Sequence, residues 1–430
     1  MRALLIAAAL AALLLLLGPA PGRSAAPAEE HYRGHKLLAA WPRDEAHVDV
    51  LRAVGQWREV DMFTHRVMAG KKVVMMVPPN SVSAVQRVLA DKGVRFEVEN
   101  HDIQESVNAE KKRQEAAASA RAVRTVPSYD RYMRYAEIQQ FLKDTAKQYP
   151  NLVMLHSAGK SFEGRDMTAL RISKTGGKSE RAVIVDAGIH AREWIAPPVA
   201  VYLIQQLTQG GAAADALLDG LDWYILPLVN PDGYEYTHTR ERFWRKNRST
   251  KNSRWCPGTD LNRNFGYHYR QSGASDYPCD ETYAGPKAFS EIEAQNLADW
   301  ITASNSDKNV KMYLTLHSYG PEILYPWGYD ANLPDAEDKD ELVSIAEEAN
   351  KAIVAAGSEP FKVENSAGLY PAAGASDDWS KGVAGIAKAY TIELQGGGYN
   401  GFDLPASEIQ GVVQQLFEGF KVFAARAKKL

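Results

Sequence analysis

Residues 183–198, VIVDAGIHAREWIAPP, run as an apolar strand into a glycine and then set a histidine and a glutamate three positions apart, His190 and Glu193. The spacing is not the helical H-E-x-x-H zinc signature, so a metal held here needs a further ligand from a distant part of the chain. Other apolar strand candidates at 152–156, 168–172, 182–186, 223–229, 312–316 and 389–392 alternate with amphipathic helices from about Thr125 onward. Strands separated by helices predict an α/β fold with a parallel or mixed central sheet covered on both faces. In such sheets ligands bind outside the carboxyl ends of the strands.

Of the ten histidines, only His190 and His317 close apolar strands. His317 ends KMYLTLHSYG, and Glu393 ends KAYTIELQGGG. A single strand-end histidine reads as a core or turn residue, but two with a glutamate favour a metal site. Two imidazoles and one carboxylate leave the fourth position for water, the pattern of a catalytic rather than a structural zinc. Glu393 at a neighbouring strand end is then placed to act as general base.

The chain has 430 residues, 24% of them charged, and a net charge of −3, which bounds it to two or three domains with room for a large core. No basic field points to nucleic acid, and nothing in the balance calls for an anionic membrane. Arg2 is followed by an apolar run over 3–17 and then by small residues, the pattern of a secretory signal peptide ending near Ala26. The run is short for a membrane span of about 20 residues, so a secreted, extracellular protein is expected. In that oxidising setting the only two cysteines, Cys256 and Cys279, favour one disulfide over two free thiols.

Ahead of the α/β region, residues 34–101 read strand (35–41), helix (45–57), strand (61–67), strand (72–77), helix (81–92), strand (94–99). This β-α-β-β-α-β order predicts a small ferredoxin-like α+β domain. The next stretch, DIQESVNAEKKRQEAAASARAVRTVPSYD, is rich in Ala, Glu, Lys and Arg and reads as a solvated connecting helix fraying toward Pro127. Its basic residues through Arg121 and Arg124 are either a charged helix face or an exposed cutting place for a trypsin-like protease. The expected division is 1–26 leader, 27–124 prodomain with connecting helix, and 125–430 catalytic domain.

The stretches GIHAREW, NPDGYEYTHTRERFWRKNR, DLNRNF, CDETYAGPKAFSEIE, LHSYG, LYPAAGASDDW and IEL follow one another in the chain. With them, the region from about Tyr129 to the C-terminus resembles the zinc carboxypeptidases of the pancreatic A/B family, and the segment before it is similar to their activation peptide. The resemblance implies a mixed twisted sheet, one Zn²⁺ on His190, Glu193 and His317, a Cys256–Cys279 disulfide, and a zymogen whose own prodomain caps the cleft. The implied activity is hydrolysis of the C-terminal peptide bond. It gives Asn262 and Arg263 the grip on the terminal carboxylate, with Tyr370 closing over it. Arg192, Ser318 and Tyr319 fall to substrate contact, and Arg245 to polarising the scissile carbonyl beside the general base Glu393.

Side-chain preference rests on the pocket floor, where B-type members carry an aspartate for Lys or Arg and A-type members an aliphatic residue. Counting from Tyr370 places Asp377 there, with Gly374, Ala375 and Ser376 lining the approach. The competing reading is that Ser376, Asp377 or Asp378 caps a helix starting near Trp379. Asn365 stands where B-type members often have glycine, ELQGGG lacks the arginine that commonly follows Glu-Leu, and 379–393 is one residue longer than in pancreatic enzymes. Two rival classes are an inactive binding relative, which would have lost metal ligands, and a zinc amidase, which would lack the carboxylate clamp. Asn247 begins an N-x-S sequon.

Overall fold

The computed structural model describes residues 31–57, 60–64, 67–119, 127–177, 179–333, 336–398 and 401–430. The leader expected at 1–26 and the basic positions Arg121 and Arg124 lie outside them. Among the described residues no helix is long and apolar enough to cross a membrane.

The amino-terminal domain has the expected order. Strands β1 (Lys36–Trp41), β2 (Asp61–Met62), β3 (Val73–Val77) and β4 (Arg95–Asn100) form an antiparallel sheet ordered β2-β3-β1-β4, with helices Glu45–Gly55 and Pro79–Asp91 between them. Side chains alternate across it. Leu38 and Ala40 point into a core closed by Val48, Leu51, Val85 and Leu89 of the two helices. Leu37, Val74 and Met76 face the other way and are buried against Phe243 and Phe402 of the large domain.

Strand β2 is shorter than the 61–67 expected. Phe63 and Thr64 both donate their N–H to the Val74 carbonyl, at 3.0 and 3.1 Å, so the chain leaves the ladder after Met62. The first helix stops at Gly55 rather than Trp57, and the second starts at Pro79, a proline suited to the first helical position. The connecting helix, Ile103–Ser119, is not solvated throughout: Ile103, Gln104 and Glu110 are buried.

The large domain carries β5 (Val153–Lys160), β6 (Asp166–Ile172), β7 (Arg181–Ala187), β8 (Leu221–Leu226), β9 (Val310–Ser318), β10 (Glu322–Tyr325), β11 (Lys362–Asn365) and β12 (Lys388–Leu394). Their order is β11-β10-β12-β9-β7-β8-β6-β5. The middle four, β12, β9, β7 and β8, are parallel, while β10 runs antiparallel to β12, and β6 antiparallel to both β8 and β5. Strand β8 ends at Leu226, short of the expected Val229, because Pro227 has no N–H for the ladder. Strands β10 and β11 were not expected; with four residues each, they are too short to show a period.

Both faces of this sheet are covered. Val183, Val185, Leu314 and Leu316 pack with Leu203 and Ile204 of helix Ala196–Thr208 and Leu416 and Phe420 of helix Ala406–Ala427. Ile184 and Tyr313, one residue out of phase, meet Leu297 and Ile301 of helix Ile292–Ser304 and Trp379 of helix Ser376–Gly382. Truncating any one fully buried leucine here would cost about 2–5 kcal/mol. From β7 the chain goes to β8 on one side and from β9 to β10, beyond β12, on the other, so the crevice opens between the carboxyl ends of β7 and β9.

Candidate metal centre and substrate cleft

The turn after β7 is made by Gly188 at φ +67°, where a Cβ would come within 2.8 Å of a Leu228 methyl. Only glycine suits that turn. It delivers His190 and Glu193 to the crevice opposite His317, the eighth residue of β9. His190 Nδ1 lies 2.7 Å from Glu193 Oε1, and His317 Nδ1 lies 3.1 Å from both His190 Nδ1 and Glu193 Oε2. All three residues are buried, and their potential ligand atoms lie within 4.8 Å of one another.

These residues fit a cation. Burial disfavours a charged imidazole, yet Glu193, Glu393 and Asp186 together pull His317 up to about 9, so a site of excess negative potential surrounds its ring. His317 Nε2 has no hydrogen-bond partner, and Glu193 Oε2 is met only by the His317 ring at 3.1 Å. The second nitrogen of His190, Nε2, is held by Asp260 Oδ1 at 3.0 Å, the outer carboxylate that fixes a ligating imidazole.

Asp260 is a residue the sequence reading missed. Its Oδ2 accepts from Arg245 Nε and Nη2 at 3.1 and 2.9 Å, and its Oδ1 accepts the Asn262 N–H at 3.0 Å. Burial would raise its carboxyl, but Arg245, His190 and Arg263 hold it well below the usual range. The Arg245 guanidinium therefore stays charged and fixed, with Nη1 3.9 Å from Glu193 Oε1. The available signal was a capping one: Asp260 precedes the short turn Leu261–Arg263 and accepts its second N–H. Glu393 pairs in register with His317 across β12 and β9. Its side chain is partly exposed, yet burial, reinforced by Glu193 and opposed by His317, pushes the carboxyl up to about 8.

A second cluster joins the expected clamp to the expected pocket. Arg263 donates from Nε to the Gly273 carbonyl at 2.9 Å and from Nη1 to the Asn262 carbonyl at 2.7 Å, leaving Nη2 without a partner. Its guanidinium carbon lies 5.4 Å from the centre of the Tyr370 ring. Asn262 Oδ1 accepts the Ser376 N–H at 2.9 Å, tying the clamp to the helix that carries Asp377. That helix begins at Ser376, not near Trp379; its N-cap is Ala375, and no side chain makes a capping bond. The capping reading is thus corrected. Asp377 Oδ2 instead accepts from Ser366 Oγ at 3.2 Å, and both oxygens of Asp378 receive the Gly328 N–H.

Arg192 meets the amino-terminal domain: Nη1 donates to Asp61 Oδ2 at 2.7 Å, and the guanidinium lies over Phe402 and Phe63. Ser318 is buried at the end of β9, and the next ring, Tyr319, stands edge-on to Phe402 with centroids 4.7 Å apart. Behind Arg192, Arg242 pairs with Glu110 of the connecting helix at 2.7 Å and donates to the Phe402 carbonyl at 2.7 Å. Cys256 and Cys279 form a disulfide. Asn247 is fully buried and donates to Glu291 and Glu293, so the sequon is closed to glycosylation in this fold.

Two family descriptions match the chain, "Zinc carboxypeptidase" over residues 138–419 and "Carboxypeptidase activation peptide" over residues 40–110. The chain belongs to the zinc carboxypeptidase family. It is a metallocarboxypeptidase carrying an activation peptide, with zinc as its cofactor. Among similar proteins, carboxypeptidase B of Astacus astacus is 43% identical over 68% of this chain and 96% of its own length. Carboxypeptidase A1 of Bos taurus is 33% identical over 95% of this chain and 96% of its own. The crystal structure of carboxypeptidase A from Helicoverpa armigera superposes with a TM-score of 0.86 at 31% identity, covering 93% of this chain and 98% of that one. Carboxypeptidases named A and B both occur among these relatives, so membership of the family leaves the preferred terminal side chain open.

Proposed function

We propose that this carboxypeptidase is a secreted zymogen of B-type preference, removing C-terminal lysine and arginine. One observation carries the preference. Asp377 is only 3% exposed, beside the clamp residues, and no arginine, lysine or histidine among the described residues pairs with it. A buried carboxylate without a cation is costly, and a terminal ammonium or guanidinium of the substrate would relieve it. An A-type preference is the alternative that substrate measurements decide.

In this reading Arg263, through its unpartnered Nη2, and Asn262 grip the terminal carboxylate, and Tyr370 closes over it. Arg192, Ser318 and Tyr319 meet residues further back. His190, Glu193 and His317 hold the zinc, which when bound polarises the scissile carbonyl and acidifies water. Glu393 takes the proton from the attacking water and gives it to the departing amine nitrogen. Arg245, held rigid by Asp260, donates to the oxyanion as the carbonyl becomes tetrahedral, worth about 3–4 kcal/mol in comparable sites.

The proposed chain plan is a leader over 1–26, a prodomain over 27–124 that blocks the cleft in cis, and the enzyme over 125–430. A trypsin-like protease cutting near Arg121 or Arg124 would activate it. The deciding experiment digests the secreted full-length protein with trypsin and compares peptides ending in Arg, Lys, Phe and Leu. Rates at least 10²-fold higher for Arg and Lys are expected, each tenfold being about 1.4 kcal/mol. Equal rates for Phe and Arg would reject the B-type preference.

A further inference from the structure

We infer that Ser366 is a positioning residue for the pocket floor: its hydroxyl holds the Asp377 carboxylate in place and so sets how strongly the enzyme prefers a cationic terminal side chain. The inference rests on the B-type reading given above and goes beyond it by naming what orients the specificity group.

Ser366 Oγ lies 3.2 Å from Asp377 Oδ2 and 3.1 Å from the Tyr325 carbonyl. A hydroxyl has one hydrogen to donate, so these two acceptors compete for it. A carboxylate is the stronger acceptor and the more expensive one to leave unserved in a buried place. With the pocket empty, the hydrogen therefore belongs to Asp377. Asp378 lies next in the chain, and burial, then the neighbouring Asp377, push its carboxyl well above the usual carboxylate range. Asp378 is occupied elsewhere, both its oxygens receiving the Gly328 N–H at 2.9 Å, and it cannot share the serine.

The serine is itself fixed by the backbone. It opens the helical turn Ser366–Leu369, capped by Asn365, whose side chain accepts the Ala367 N–H at 2.9 Å. Asn365 in turn stands opposite Tyr325 in the parallel pairing of β11 with β10. A Cβ on Gly328 would come within 3.0 Å of Ser366 Cβ, so the wall is closely packed around this hydroxyl. The same turn ends at Tyr370, placing the residue that holds the floor and the expected lid on one five-residue segment. An arriving ammonium or guanidinium then finds a carboxylate already held in one orientation, which lowers the ordering cost of binding.

The test uses the full-length chain activated by limited trypsin digestion and matched peptides ending in Arg, Lys and Phe. Ser366→Ala is expected to lower kcat/KM for Arg and Lys about tenfold, carried by KM, with Phe unchanged within about twofold. In an Asp377→Ile background, adding Ser366→Ala should change nothing further. If Asp377→Ile collapses the Arg preference while Ser366→Ala preserves it, the inference falls and the B-type reading stands. If Asp377→Ile leaves the preference intact, both fall. A uniform loss on all three peptides would show general damage and would also overturn the inference.

Discussion

Arg192, a residue with no exposed side-chain surface, gives one N–H of its guanidinium to Asp61 of the amino-terminal domain at 2.7 Å. The acceptor opens a strand only two residues long, which the chain leaves after Met62. Removing one partner of such a buried pair typically costs 2–5 kcal/mol of association. In the uncut protein, Asp61→Asn should raise activity toward small substrates at least about tenfold. After trypsin and separation of the cut fragment the same variant should match the wild type, because residue 61 has been removed. An uncut variant as silent as the wild type would show that this pair does not close the cleft.

The general-base role is tested by Glu393→Gln. The substitution keeps shape and removes the proton acceptor, so metal content should stay near one zinc per chain while kcat falls by about 10³-fold or more. A metal-replete Glu393→Gln protein retaining substantial turnover would move the base elsewhere.

Stripping the metal should have two effects. Activity should vanish, and the melting temperature of the activated protein should fall by roughly 10 °C, since a ligand present at a thousand times its Kd contributes about 4 kcal/mol. Both should return with one equivalent of zinc. His190→Ala should abolish the zinc-dependent rise in melting temperature. A melting curve indifferent to chelator would place the metal outside the His190, Glu193 and His317 cluster.

Asp377→Ile replaces a buried charge with an apolar group of similar size at the expected pocket floor. The Arg-to-Phe ratio of kcat/KM should fall by about 10²-fold and could invert, with zinc content unchanged. An unchanged ratio would leave Asp377 a structural residue.

Glu293 provides a pH signature separate from catalysis. Burial pushes its carboxyl up to about 7 although the Phe162 N–H and the Asn247 amide both donate to it. A folded value above the ordinary 4.5 means that its contribution to stability is fully present below about pH 4.5 and is lost as pH rises through about 7. The full effect is roughly 3 kcal/mol. Compared with Glu293→Gln, the wild type should lose stability in denaturant melts between pH 5 and 8. Parallel pH profiles would show that the buried carboxyl keeps an ordinary pKa.

The residues that ended strands were legible because their period and their abrupt stop are local features. His190, His317 and Glu393 each follow an apolar run, and the sheet order brings those runs side by side without further information. Asp260 was not legible, since its value lies in reaching His190 across 70 positions, a contact that no local pattern encodes. Asp61 was hidden for a related reason: it was expected within a seven-residue strand, whereas two backbone donors to one carbonyl cut that strand short. The start of the helix bearing Asp377 was misplaced because capping rules look for a polar side chain, and here Ala375 fills the position without one. The connecting helix looked solvated because Glu110 is charged; its burial depends on Arg242, 132 positions away.

Phe63 sits between Phe243 and Phe402, with ring centres 5.4 and 5.3 Å away, and the two ion pairs at Arg192 and Arg242 flank it. While the chain is whole, that plug is tethered, and its effective concentration at the cleft is on the order of millimolar. On the proposed activation, one cut would leave every contact in place but make rebinding depend on how much fragment is free in solution. Where the protein is concentrated, the detached fragment should keep occupying the cleft; on dilution or digestion of the fragment it should leave. On the proposed activation by a single cut, activity after cleavage should therefore depend on protein concentration, and the volume into which the protein is diluted would become part of its regulation.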